Sequence, residues 1–183
     1  MKTLFRKAML AGFCLLGVLS TGARAQGSDR DGCSEATLRG DYAFTVSGTI
    51  WTTDPTGAPL VIERDGIAMT HFDGRGNLTQ VDYVASSPNA PQMNPPKDPT
   101  TGFHIDESGT YQVYSDCTGT FTINSPTSII TVNFVLSDHG RAIHTIVISL
   151  TLLKPSGPVP AVGVLIHSEG HKLGRVPEDR DDR

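Results

Sequence analysis

Beyond residue 25 the sequence has no apolar run of the roughly 20 residues that a membrane-spanning helix needs. It also lacks a sustained helical period, a C-x-x-C pair and a G-x-S-x-G turn. These absences exclude a helical membrane anchor, a helix-built core, a dithiol redox centre and the nucleophile elbow of an α/β-hydrolase. Gly74-x-Gly76 belongs to a hairpin turn rather than to the opening of a helix, so no dinucleotide site is implied. Positive charge is scarce. Four of the 15 basic residues (Lys2, Arg6, Lys7, Arg24) and none of the 19 acidic ones fall before residue 26, which leaves 11 basic against 19 acidic over 26–183. A chain this acidic, without a basic stripe, is unsuited to binding a phosphate backbone, and nucleic acid is set aside as a partner.

What is present begins with an export signal. Lys2, Arg6 and Lys7 precede a short apolar stretch, Ala8 to Leu19, and Ala23-Arg24-Ala25 puts small residues at the two positions a signal peptidase reads. Residues 1–25 therefore read as a cleavable secretory signal, with the working protein starting near Gln26. Neither Cys14 nor Cys33 follows the run of small residues that lipidation requires. The expected product is soluble and periplasmic or extracellular, with one domain over 26–175 and a disordered charged tail at 176–183. Cys14 leaves with the signal, so Cys33 and Cys117 remain and are read as one disulfide in an oxidising compartment. It would close a loop of about 84 residues, for which chain entropy gives roughly 4 kcal/mol.

From Leu38 onward the pattern is that of strands. Tyr42, Phe44, Val46, Gly48 and Ile50 alternate with Ala43, Thr45, Ser47 and Thr49, a period of two. Further strands are expected at 60–72, 78–86, 102–107, 109–115, 118–124, 127–137, 142–153 and 161–168. Asp73-Gly74-Arg75-Gly76-Asn77 and Asp138-His139-Gly140-Arg141 read as hairpin turns. Residues 87–101 carry five prolines and read as a surface loop or flap, while Pro155 to Pro160 is expected to break the ladder. The fold class is all-β, a sandwich or a barrel. The consecutive hairpins favour an antiparallel up-and-down barrel of about eight strands, which also removes exposed edges.

Three segments together resemble a known family: Ser34 to Phe44, Phe72 to Thr79, and Gly109-Thr110-Tyr111 leading to Asp116-Cys117-Thr118-Gly119-Thr120. They are similar to a group of small exported bacterial and fungal proteins, mostly without assigned activity, whose barrel is like that of allene oxide cyclases. The resemblance spans about residues 33–168. It implies a calycin-like barrel with a hollow, largely apolar interior. Proteins with this barrel include plant allene oxide cyclases, dirigent proteins and polyketide cyclases, which shape a reactive substrate inside the cavity, often without a cofactor. No catalytic residue transfers position by position, and the proline-rich 87–101 loop and the His-containing 167–171 end depart from the family's rhythm.

Candidate chemistry is sparse. His71 shares a strand face with Ile67 and Met69, and His144 with Ile146, Ile148 and Leu150, so either imidazole would flank a cavity as acid or base if that face points inward. Tyr42, Tyr83, Tyr111, Glu63 and Asp82 are candidate cavity-lining groups on the same condition. His167-x-Glu169-x-His171 places three metal-ligating side chains on one face of a strand, though Gly170 interrupts it. A hydrogen-bonded core histidine and a solvated strand end are the plainer readings of these patterns. No cofactor is expected. Three functional classes stand open: a barrel holding a small apolar ligand or a protein partner, a cofactor-free cyclase or isomerase acting inside the barrel, and a purely structural role.

Overall fold

The computed structural model describes residues 32–54, 56–87, 98–155, 157–161 and 163–174. The proposed signal at 1–25, the proline-rich stretch at 88–97 and the charged tail at 176–183 lie outside these described residues. Among the described residues nine strands follow a short 3-10 turn at Glu35–Leu38: β1 Arg39–Thr53, β2 Pro59–Asp73, β3 Asn77–Ser86, β4 His104–Val113, β5 Thr118–Asn124, β6 Ser128–Ser137, β7 Ala142–Lys154, β8 Gly157–Pro160 and β9 Gly163–Lys172. Each strand from β1 to β7 pairs antiparallel with the next. β7 then pairs with β8 at one end and with β9 at the other, and β9 closes onto β1 from Tyr42↔Lys172 to Trp51↔Gly163. Counting β8 and β9 as one broken stave, the result is a closed, eight-stave, up-and-down barrel. Among the described residues no helix is long and apolar enough to cross a membrane.

Closure depends on small residues at the seam. Phe44 points inward across from Gly170, and a Cβ added at Gly170 would come within 2.3 Å of the Phe44 ring. The ring occupies the space a side chain on β9 would need. At the β6–β7 turn, Gly140 adopts φ +78° and its missing Cβ admits the Thr37 side chain.

One end of the barrel is sealed. Leu38, Tyr42, Phe72 and Ile143 have no exposed surface, and Phe72 meets Tyr42 and Tyr111 edge-on at centroid distances of 5.4 and 5.0 Å. The tyrosine hydroxyls are satisfied by backbone. Tyr42 donates to the Gly140 carbonyl, and Tyr111 donates to the carbonyls of Glu35 (3.0 Å) and Leu38 (3.3 Å). The Cys33–Cys117 disulfide fastens the plug to the β4–β5 turn. A second, smaller apolar cluster of Ile50, Ile62 and Leu150 sits farther along the barrel.

Three strand expectations change. The separate strands at 102–107 and 109–115 are one strand, β4, with an irregularity where Gln80↔Glu107 steps to Asp82↔His104. Gly157–Pro160, expected to break the ladder, pairs with Thr151–Lys154 instead. Prolines are tolerated there because β8 pairs only with β7 among the described residues, so one side of its backbone needs no donor. In β7, the step from Thr131↔Ser149 to Val132↔Val147 inserts Ile148. That bulge turns Leu150 inward while His144, Ile146 and Ile148 stay on the outer face.

Replacing both Cys33 and Cys117 with alanine is expected to lower the unfolding free energy by about 2–5 kcal/mol, measured by chemical denaturation. An unchanged midpoint would show that the plug holds without its bond.

Candidate functional site

The interior cavity, about 130 Å³, lies between the two apolar clusters and takes walls from both: Phe44, Phe121 and Val132 from one, Ile50 and Leu150 from the other. Its β6–β7–β9 side is mostly aliphatic, and the hydroxyls there are paired: Thr145 and Ser168 bond each other at 2.6 Å, and Ser128 bonds Ser125 Oγ at 2.9 Å. Its charged groups sit on β2, β3 and β4. Inward parity on β2 delivers Arg64, Ala68 and Thr70; on β3 it delivers Gln80 and Asp82.

On β4 strict alternation would not put His104 and Glu107 on the same side, since they are three residues apart. The bulge at Ile105–Asp106 sets two residues against one on β3, and both His104 and Glu107 end up buried while Ile105 is exposed. A hydrogen-bonded chain follows. Thr70 Oγ1 donates to Gln80 Oε1 (2.8 Å), Gln80 Nε2 donates to Glu107 Oε2 (2.8 Å), and His104 Nδ1 lies 2.7 Å from Asp82 Oδ1. One ligating atom each from Asp82, His104 and Glu107 fall within 4.8 Å of one another.

The electrostatics follow from burial. Glu107 is 4 % exposed, and desolvation first, then the Asp82 charge, push its carboxyl up to about 7. Desolvation also raises Asp82, opposed by its bond to His104 and by the charges of His104 and Arg64. The pair thus holds a shared proton close to neutrality, with Glu107 as the donor to Asp82. Arg64, 9 % exposed, is lowered by desolvation, with Asp82 opposing. Its Nε has no hydrogen-bond partner among the described residues.

Asp82, His104 and Glu107 offer three ligands of the kind that hold a divalent cation. Such an ion would displace the Glu107 proton and face the Arg64 charge.

Of the residues singled out in the sequence, Asp82 alone lines this cavity. His71 lies on the outer face of β2, its side chain 55 % exposed and 2.7 Å from Asp41; His144 lies on the outer face of β7, bonded to Ser137 Oγ. The two imidazoles therefore do not flank the interior. Tyr42 and Tyr111 are buried in the sealed end, Tyr83 is on the outside against Phe103, and Glu63 is exposed. His167, Glu169 and His171 share the outer face of β9, but only Glu169 and His171 meet (3.1 Å), while His167 turns to Ser47 Oγ.

No protein-family model and no curated protein sequence matches this chain. Among solved structures it is similar to the S-type phycobiliprotein lyase CPES from Guillardia theta, at 7 % identity and a TM-score of 0.41, covering 78 % of this chain and 92 % of that one. It is also similar to Rv2717c from M. tuberculosis, at 13 % identity and a TM-score of 0.30, covering 75 % and 94 %. Likeness at this level carries nothing about function. The strand pairing and the hollow interior themselves define the class: a closed, antiparallel up-and-down barrel with one polar wall.

Linkage gives the acid pair a measurable signature. Glu107 binds its proton more tightly folded than unfolded, where a carboxyl titrates near about 4.3. The native state then holds more protons between that value and about 7, so stability falls as pH rises through this window and levels off above it. Glu107→Gln is expected to flatten that slope and to be more stable than wild type at pH 8, by about 1–3 kcal/mol given the shared titration. Urea unfolding across pH 4–8 measures this; an unchanged slope in the variant would remove Glu107 as its source.

Proposed function

We propose that this protein is a binding barrel for a small, largely apolar molecule of about one ring, whose polar end meets the Thr70–Gln80–Glu107–Asp82 wall. The single observation behind it is the cavity: about 130 Å³, aliphatic and aromatic on most sides, with its charged groups together on one. An apolar cavity of about 150 Å³ in another protein takes up benzene, which sets the size of ligand to expect. Filling it recovers dispersion contacts that an empty interior forgoes.

Protein NMR titration with benzene, indole and naphthalene tests the reading. The one-ring compound should shift resonances of cavity residues, naphthalene should bind more weakly, and Ala68→Phe should abolish binding while the far-UV circular dichroism is kept. Failure of wild type to bind any of the three would overturn it.

One observation favours a second reading, a cofactor-free isomerase or cyclase. A shared carboxyl proton inside an apolar chamber is the equipment for moving a proton on a bound carbonyl compound. In that case a one-ring ketone titrated in D2O would exchange its α-hydrogens catalytically, and Glu107→Gln would stop the exchange; binding without exchange leaves the carrier reading alone. Membership of the allene oxide cyclase-like group is part of the same proposal, supported by the barrel and by the quoted motifs.

Export belongs to this proposal as well. The Cys33–Cys117 bond supports it, because such bonds persist in oxidising compartments. Mass spectrometry of the product from the native host should find a chain starting at Gln26 outside the cytoplasm; an uncut chain retained inside would count against export.

A further inference from the structure

Most side chains on the polar wall satisfy one another. Thr70, Gln80 and Glu107 form one chain, and Asp82 is engaged by His104. Arg64 is the exception. It lies on the inward face of β2 between Ile62 and Ala68, is 9 % exposed, lines the cavity, and its Nε has no hydrogen-bond partner among the described residues. The other buried side-chain atom in that condition, Thr127 Oγ1, belongs to a residue that does not line the cavity. A guanidinium cannot shed its charge to escape burial, and a buried donor left without an acceptor is costly.

Resting on the ligand-binding reading above, we propose that Arg64 is the recognition residue of the cavity and that the ligand carries an acceptor oxygen, carbonyl or carboxylate, which takes a hydrogen bond from the cavity-facing part of the Arg64 guanidinium. An apolar ring would fill the space between Phe44, Val132 and Leu150 while its oxygen reaches the β2 wall. A purely hydrocarbon ligand would leave the guanidinium without an acceptor on that side. Specificity then arises as it does wherever a site is built to bond an oxygen: the analogue lacking it strands a buried charge-bearing donor.

The test compares three one-ring probes on the full-length protein by calorimetry: cyclohexanone, its isostere methylenecyclohexane, and cyclohexanecarboxylate. Wild type should prefer at least one oxygen-bearing probe over methylenecyclohexane by about tenfold or more, the scale of one hydrogen bond to a charged group. Cyclohexanone as the tighter probe identifies a carbonyl ligand; the carboxylate as the tighter probe identifies an acid. Arg64→Met should erase the preference and leave methylenecyclohexane affinity within about twofold. Arg64→Lys, which keeps the charge but not the planar donor, should also lose most of it and serves if the methionine variant does not fold. Equal binding of all three probes by wild type, or an intact preference in either folded variant, overturns the role of Arg64 while leaving the binding barrel standing. Binding of none of them overturns both.

Discussion

The rest of the molecule depends on the plug at one end of the barrel. Cys33 is bonded to Cys117, the chain turns once through Glu35–Leu38, and Leu38 is driven completely out of solvent beneath Tyr42, Phe72 and Tyr111. A closed barrel of eight staves has an interior just wide enough to fill with side chains, or to hold one small molecule. Here Tyr42, Phe72 and Tyr111 are spent at the sealed end, and Phe44 and Phe121 join small and branched residues around the middle. The cavity is the space between a plug that is filled to capacity and a lighter aliphatic cluster farther along.

The plug also explains why the sequence points so clearly to a fold and so faintly to a task. Ser34 to Phe44 forms the plug and the start of β1, Phe72 to Thr79 forms the β2–β3 hairpin, and the Gly109–Tyr111 and Asp116–Thr120 segments bracket the β4–β5 hairpin. All gather at the sealed end, tied by Tyr111 N–H to the Gly76 carbonyl and by Tyr111 Oη to the plug. The motifs that mark a family resemblance are thus residues that build the barrel's floor. They say nothing of the chamber above it.

The strands, the two glycine-bearing hairpins and the disulfide were legible because each rests on a local rule of alternation, turn geometry or cysteine count. The site was not, because its rule is non-local. Alternation shows that two faces exist, not which is inside, and it placed His71 and His144 with apolar neighbours that the barrel carries outward. Leu150 shares their apparent parity with His144 only until the Ile148 bulge intervenes. His104 and Glu107 have opposite parity, so no periodic reading joins them. Beyond Asp82, Arg64 left the one usable trace. It shares parity with Ala68, Thr70 and Phe72, and a charge on the face that also carries the largest apolar residue of β2 is an anomaly worth following.

That anomaly fits a chamber that is close to neutral within an acidic protein. Arg64 is positive, Asp82 negative, and Glu107 keeps its proton up to about 7. Burying such groups is tolerable when each has a counter-charge or a hydrogen bond, and five of the six polar side chains there, Thr70, Gln80, Asp82, His104 and Glu107, are hydrogen-bonded to one another.

The bulge in β4 carries a consequence for how such a chamber changes over evolutionary time. Its chemistry is written in the length of the strand as much as in the identity of its residues. Loss of one residue from Ile105–Asp106 would restore even spacing and keep His104 and Glu107 both inward, opposite Asp82 and Gln80, whereas loss of both would make the two adjacent and turn one of them out of the barrel. Descendants with nearly identical composition would then differ by a whole functional group inside. A gap of two positions, easily dismissed in an alignment as noise, is where divergence in what these barrels hold should be sought.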